Sequence, residues 1–344
     1  MRILPILAAS FGFRGKRAQM KAMVIKAQGG LENLVYDDWP DPVPGPKDVI
    51  VRVRACGLNH LDIFVRKGMP GLPVPMPFIS GGDIAGEISE LGSEVRGWKT
   101  GDRVVVQPST AEGMMGEESQ GGMAEYARVP EDNLVRIPDG VGFEAAAALP
   151  VAYGTALRMI VTRGRVQAGE TVLILGASGG VGTAAVQIAK MIGAEVIAAA
   201  GAEDKLQKLR ELGADHLINY KTQDFSKEAW RISGKKGVDV VVNYTGGDTW
   251  VPSLKTLKTH GRALTCGATA GYDPKEDLRY IWVRELEILG CNGWTKEDIA
   301  TLLEYVGSGR IKPVISHVLP LSQGREAEWL LEQRAVFGKV LLVP

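Results

Sequence analysis

"TVLILGASGGVGTAAVQIAK", residues 171–190, joins five strand-forming residues, a turn holding four glycines, and a helix with an apolar period. Within the turn, Ala177-Ser178-Gly179-Gly180-Val181-Gly182 keeps the GxGxxG spacing with alanine in the first place. Gly179 lets a pyrophosphate approach the backbone, and Gly182 lets the helix pack closely on the strand. The helix N-terminus offers phosphates its free N–H groups and the positive end of its dipole. Spacing alone is weak evidence. The strand before it, the helix after it and a second strand, "EVIAAAG" at 195–201, supply the context that makes this a dinucleotide turn rather than glycines kept for packing.

Outward from the turn, strands and helical stretches alternate over residues 149–292: "TVLILGA", "EVIAAAG", "HLINY", "DVVVNYTGG", "RALTCGA" and "EILGCN". That alternation predicts parallel strands with right-handed crossovers, the doubly wound Rossmann architecture. Residues 20–148 read differently, as short alternating runs broken by Gly and Pro, which predicts a compact β-barrel. The tail 293–344, with "KPVISHVLPL" and "GKVLLVP", returns to strand-rich sequence and is expected to rejoin the barrel. A chain of 344 residues, 45% apolar, is long enough for two such domains.

Forty basic and forty acidic residues cancel, leaving no field to attract nucleic acid or an anionic membrane. The partner expected is a small-molecule substrate. No segment is long and apolar enough to span a bilayer. Cys56, Cys266 and Cys291 are too few and too dispersed for a disulfide framework or a paired-cysteine zinc site, which points to a reducing, cytoplasmic setting. Residues 1–19, "MRILPILAASFGFRGKRAQ", carry four positive charges and no acid, with "RGKR" after the apolar run, the wrong order for a signal peptide. They read either as an organelle-type presequence or as a disordered extension upstream of a start at "MKAMVIK"; the second reading is adopted.

The end of the second strand selects the cofactor. NAD sites place a carboxylate there for the ribose hydroxyls, and it would repel a 2′-phosphate. Here the strand ends Ala199-Ala200-Gly201, no acid appears before Glu203, and Lys205 follows. Room and a nearby cation favour NADPH, although Lys205 also reads as a solvated lysine at a helix start.

Several motifs in order resemble the medium-chain dehydrogenase/reductase superfamily over residues 20–344. They are "GLNHLDIFVRKG" (57–68), "GGDIAGEI" (81–88), "GDRVVV" (101–106), "GGMAEYARVP" (121–130), "AAALPVAYGTAL" (146–157), the glycine turn, "LGADHLINY" (212–220) and "FGKVLLV" (337–343). The resemblance implies a GroES-like catalytic barrel beside the Rossmann domain, with the active site between them. In the zinc enzymes of that superfamily the ion is held by a Cys, a His and a later ligand. The matching positions here are Asn59 and Gly82, the alanine run 145–148 offers no third ligand, and "PSTAEGMMGEESQGG" has no cysteine for a structural zinc lobe. No metal is expected. The alcohol relay falls on Leu61 and Phe64 and is lost. The zinc-free, zeta-crystallin-like quinone oxidoreductases resemble the chain best, through Asn59, Asp62, Arg66 and Gly68, with Phe64 replacing a tyrosine common in that branch. The implied activity is hydride transfer from NADPH to a quinone or α,β-unsaturated carbonyl.

The candidate catalytic residues are Asn59, Asp62 and His60. Asn59 donates to an acceptor oxygen or only holds its loop; Asp62 orients that loop; His60 meets the pyrophosphate, relays a proton or is scaffold. For the cofactor, the resemblance adds Tyr220, stacking on adenine, touching the 2′-phosphate or merely packing, the Cys266-Gly267-Ala268 backbone at the nicotinamide, and Lys339, reaching the cofactor from the tail. Cys266 reads as a core-edge residue rather than a nucleophile. A homodimer or homotetramer is expected through the last strands of the Rossmann sheet. Three alternatives stay open: a zinc-type alcohol dehydrogenase, an enoyl-thioester reductase and a non-catalytic NADPH-binding protein.

Overall fold

The computed structural model describes residues 19–344 apart from Pro70 and Leu72. The expected extension over 1–19 lies outside the described residues except at Gln19, which opens the strand Gln19–Ile25, paired antiparallel with Leu34–Pro40.

Six parallel strands form one sheet in the order His216–Asn219, Glu195–Ala200, Thr171–Leu175, Val238–Val242, Leu257–Thr265, Glu287–Gly290. Helices such as Gly180–Ile192 and Glu203–Glu211 return the chain between strands, which is what allows the pairing to be parallel. Val172, Leu173 and Ile174 are fully buried and divide between apolar clusters on the two sides of the sheet, as a sheet covered by helices on both faces requires. Thr171–Leu175 lies where the strand order reverses. The glycine turn follows at its carboxyl end, the place where doubly wound sheets bind their ligands.

The second sheet joins Asp48–Gly57, Asp83–Leu91, Arg103–Val106 and Leu134–Arg136, with Tyr126–Pro130 also paired to the first of these. Lys339–Val343 pairs antiparallel with the end of Asp48–Gly57, and Ile315–Pro320 continues beyond it. The C-terminal strands therefore complete the sheet begun by the N-terminal half. Met23, Val49, Ile84, Met123 and Leu342 pack within it.

The two sheets share apolar packing: Ala55, Ala85 and Val105 of the barrel belong to the same cluster as Val172 and Ile174 of the Rossmann sheet. Between them, the helical segment that starts at Phe143 widens into π-turns at Leu149–Tyr153 and Arg158–Arg163. Pro150 accounts for the first widening, because it has no N–H with which to close a regular turn. The next residue, Val151, turns its N–H to the Asp83 carboxylate of the barrel, at 2.8 Å. A second junction joins the tail to the turn, where Gly338 N–H donates to the Ser178 carbonyl at 2.9 Å. Among the described residues no helix is long and apolar enough to cross a membrane.

Candidate active site

The glycine turn is built from backbone. Ala177 is fully buried, and its N–H donates to the Ala199 carbonyl at 3.0 Å, tying the turn to the neighbouring strand. A Cβ on Gly182 would lie 2.6 Å from Ala177 backbone atoms, so helix and strand approach this closely only without a side chain. Above Gly179 there is room, since a Cβ there would meet nothing nearer than 3.6 Å. Gly180, Val181 and Gly182 open the helix Gly180–Ile192, and their N–H groups lie in its first turn, which has no intrahelical acceptors. Tyr244 closes one side, its hydroxyl donating to the Gly176 carbonyl at 2.8 Å. This donor set fits a dinucleotide pyrophosphate.

At the far end of the turn, Ala200 is buried and Gly201 lies under Tyr220, whose ring atoms come within 2.9 Å of where a Cβ would stand. The Lys205 ammonium donates to the Arg334 carbonyl at 2.6 Å, bringing the catalytic-domain tail against the Rossmann domain. Lys205 is held below its usual pKa, first by desolvation and then by Lys208 and Arg334 acting against the nearby Asp204. Arg334 is exposed, with φ at 53°. Cys266, Gly267 and Ala268 follow the strand Leu257–Thr265 as a turn, in which Gly267 O accepts the Thr265 hydroxyl at 3.1 Å and Ala268 O accepts Gly271 N–H at 3.2 Å. Burial pushes the half-buried Cys266 thiol up to about 12, with Cys291 adding to the shift, which agrees with a packing role.

The other wall is built from side chains. Asn59 caps the helix His60–Lys67, and its N–H donates to Asp62 Oδ2 at 2.7 Å. Asp62 Oδ1 accepts Gly81 N–H at 2.8 Å, so one buried carboxylate joins the Asn59 loop to the Gly81-Gly82 turn. Desolvation raises the Asp62 pKa to about 7, opposed by the Asn59 N–H and reinforced by Glu328 and Asp83. Behind it, buried Arg66 is held by Glu328 at 2.6 Å, which fixes the helix to Gly324–Glu332. His60 is exposed on the first turn, its pKa lowered by desolvation, then by Arg334 and Lys339.

The Asn59 side chain is the hinge of this wall. Its Nδ2 donates to Asp83 Oδ2 at 2.9 Å, and its Oδ1 accepts from Lys339 Nζ at 2.7 Å. Lys339 Nζ also donates to Leu58 O at 2.7 Å and Asp83 Oδ2 at 2.8 Å. Lys339, expected to reach the cofactor, is 2% exposed, and its ammonium meets the Asn59 loop and Asp83. Only its stem lies under the turn, with Cδ 3.0 Å from a Cβ built on Gly180.

Three contributors were not singled out from sequence. Asp83 joins Asn59, Lys339 and Val151. Arg334 meets Lys205. Buried Asn243 shapes the loop after Val238–Val242, accepting Thr245 and Gly246 N–H at 2.9 and 3.0 Å. The polar break after an apolar strand, "VVVNYTGG", is the one local signal for Asn243 and Tyr244.

Zinc does not fit this donor set. Asn59 presents an amide, and a Cβ on Gly82 would already stand 3.0 Å from Met115 O and 3.4 Å from Pro108 Cβ, with no room for an imidazole unless that loop shifts. Among the described residues no group of three His, Cys, Asp or Glu is placed to hold a metal.

Two family descriptions match the chain: alcohol dehydrogenase GroES-like domain over residues 45–139, and zinc-binding dehydrogenase over 180–308. The chain is similar to quinone oxidoreductase-like protein 2 of Bos taurus, 33% identical over 320 residues, with 90% of this chain and 88% of the relative covered. It is similar to acryloyl-coenzyme A reductase of Sulfurisphaera tokodaii, 32% identical, with 94% and 100% covered. Among solved structures, an NAD-dependent alcohol dehydrogenase superposes with a TM-score of 0.89 at 40% identity, covering 94% of this chain and 100% of that one.

Proposed function

We propose that this chain, which belongs to the medium-chain dehydrogenase/reductase superfamily in its quinone oxidoreductase-like branch, transfers hydride from NADPH to a quinone or α,β-unsaturated carbonyl without zinc. The observation that carries the reading is the Asn59 amide, held between Asp83 and Lys339 at the position where the zinc enzymes place a thiolate.

An amide nitrogen has two hydrogens. One Asn59 N–H goes to Asp83, and the other, without a partner among the described residues, is left to donate to the oxygen of an acceptor, where negative charge develops during reduction. Asp62 holds the loop that carries this donor. Conjugated acceptors suit the site because they spread that charge themselves and need less help than a simple aldehyde. His60, on the first turn beside Asn59, would pass a proton between solvent and the acceptor.

Support for NADPH comes from the carboxylate-free strand end at Ala200 and Gly201, with Tyr220 above it and Lys205 and Arg334 beside it. Arg334 is assigned, with Lys205, to the 2′-phosphate. Enoyl thioesters are the second acceptor class, favoured by the similarity to acryloyl-coenzyme A reductase. The active form proposed is a homodimer formed through the edge strand Glu287–Gly290, beside which Leu278, Trp282 and Val283 are more than half exposed.

The test is steady-state NADPH oxidation against quinones, enones, enoyl thioesters and aldehydes, with metal measured on the same protein. Turnover of the conjugated acceptors alone is expected. Zinc-dependent turnover of aldehydes and alcohols would overturn the reading.

A further inference from the structure

We infer that the Lys339 ammonium is the resident cation of this active site and the positioning residue that fixes Asn59; this rests on Asn59 being the donor to the acceptor. An ammonium has three N–H donors and no acceptor. Here all three are taken, by Leu58 O, Asn59 Oδ1 and Asp83 Oδ2, so none remains for phosphate or substrate. A carboxylate and an ammonium on either side of one amide admit a single orientation of it. Lys339 can meet only the oxygen, and Asp83 can receive only from the nitrogen. The flip that would turn Asn59 Oδ1 toward a developing oxyanion is therefore closed off.

The same cation balances Asp83, which is fully buried and whose Oδ1 accepts the Val151 N–H of the interdomain helix. A buried ion pair is a weak source of net stability, because desolvation opposes the attraction. Its consequence here is geometric: the amide, the carboxylate and the domain junction are held in one register. The C-terminal strand delivers the cation, with Leu341 opposite Gly57 and Leu342 opposite Cys56. The electrostatic centre of the site is thus an ammonium, in a place where the superfamily's zinc members use a metal ion.

Lys339→Met removes the charge and leaves Asp83 unpaired, so it is paired with the double variant Lys339→Met/Asp83→Asn, which removes both charges. The double variant is expected to recover most of the melting temperature lost by the single one. Its turnover is expected to stay at least about tenfold below wild type, with the NADPH dissociation constant within about twofold. Wild-type turnover in the double variant would overturn the inference, as would a large loss of NADPH affinity with saturated turnover intact, which would make Lys339 a cofactor ligand. A second measurement needs no turnover: 15N-edited NMR of the wild-type chain should show a slowly exchanging lysine ammonium that is lost in Lys339→Arg. Its absence would overturn the inference even if the double variant fails to fold. If the wild-type chain reduces no acceptor, the functional reading fails, and the NMR result still decides whether Lys339 is a buried, saturated cation.

Discussion

The glycine turn and the Asn59 loop both meet Lys339, yet they are made of different material. The turn works with backbone: Ala177 to Gly182 present N–H groups, and their side chains matter mainly by being small. The loop works with side chains drawn from distant segments, Asn59, Asp62, Asp83 and Lys339. A backbone site tolerates many neighbours so long as the path of the chain is kept. A side-chain network tolerates few changes, because each member fixes the orientation of the next.

The sharpest way to break that contrast is Asp83→Ala. Removing the carboxylate leaves Lys339 buried and unpaired, and a loss of about 3–5 kcal/mol is expected in chemical denaturation. Loss below about 1 kcal/mol would mean that water reaches the ammonium and the network is loose.

Asn59→Ala should separate the two walls by function. Turnover is expected to fall roughly tenfold, about 1.4 kcal/mol, with the NADPH dissociation constant nearly unchanged, because the turn does not depend on the amide. Equal loss in both would show that the walls are one unit.

On the cofactor wall, NADPH should bind at least about tenfold tighter than NADH by fluorescence titration. Arg334→Gln should reduce that preference several-fold by weakening NADPH alone. Equal weakening of both cofactors would place Arg334 at the pyrophosphate instead.

The smallest effect expected is a pH slope. Asp62 has its folded pKa raised from 3.8 to about 7 by burial, so the folded state binds more protons than the unfolded one between those values. Its contribution to stability therefore falls as pH rises through that window and is flat above about 7. Asp62→Asn lacks this term, and its melting temperature relative to wild type should rise by about 4 °C between pH 5 and 8. A constant difference across that range would mean Asp62 titrates normally.

Legibility in the sequence followed the same division. The turn is written in six consecutive residues, and the strands around it in short apolar runs with a regular alternation, so the fold and the path of the turn could be read directly. The loop could be read only where its members are neighbours, as in Asn59 and Asp62. Lys339 and Asp83 are 256 residues apart, and Lys205 and Arg334 are 129 apart. No local pattern records such a meeting. The basic residue in "FGKVLL" was legible as important, while the direction of its ammonium depended on the tail crossing beneath Gly180.

The most direct test of the account's central claim, that this site works with an internal ammonium in place of zinc, is a paired measurement on one sample. Zinc per chain and acceptor turnover are determined before and after exhaustive chelation. Zinc well below stoichiometric and unchanged turnover are the results predicted. One zinc per chain, with turnover abolished by chelator and restored by the metal, would contradict it.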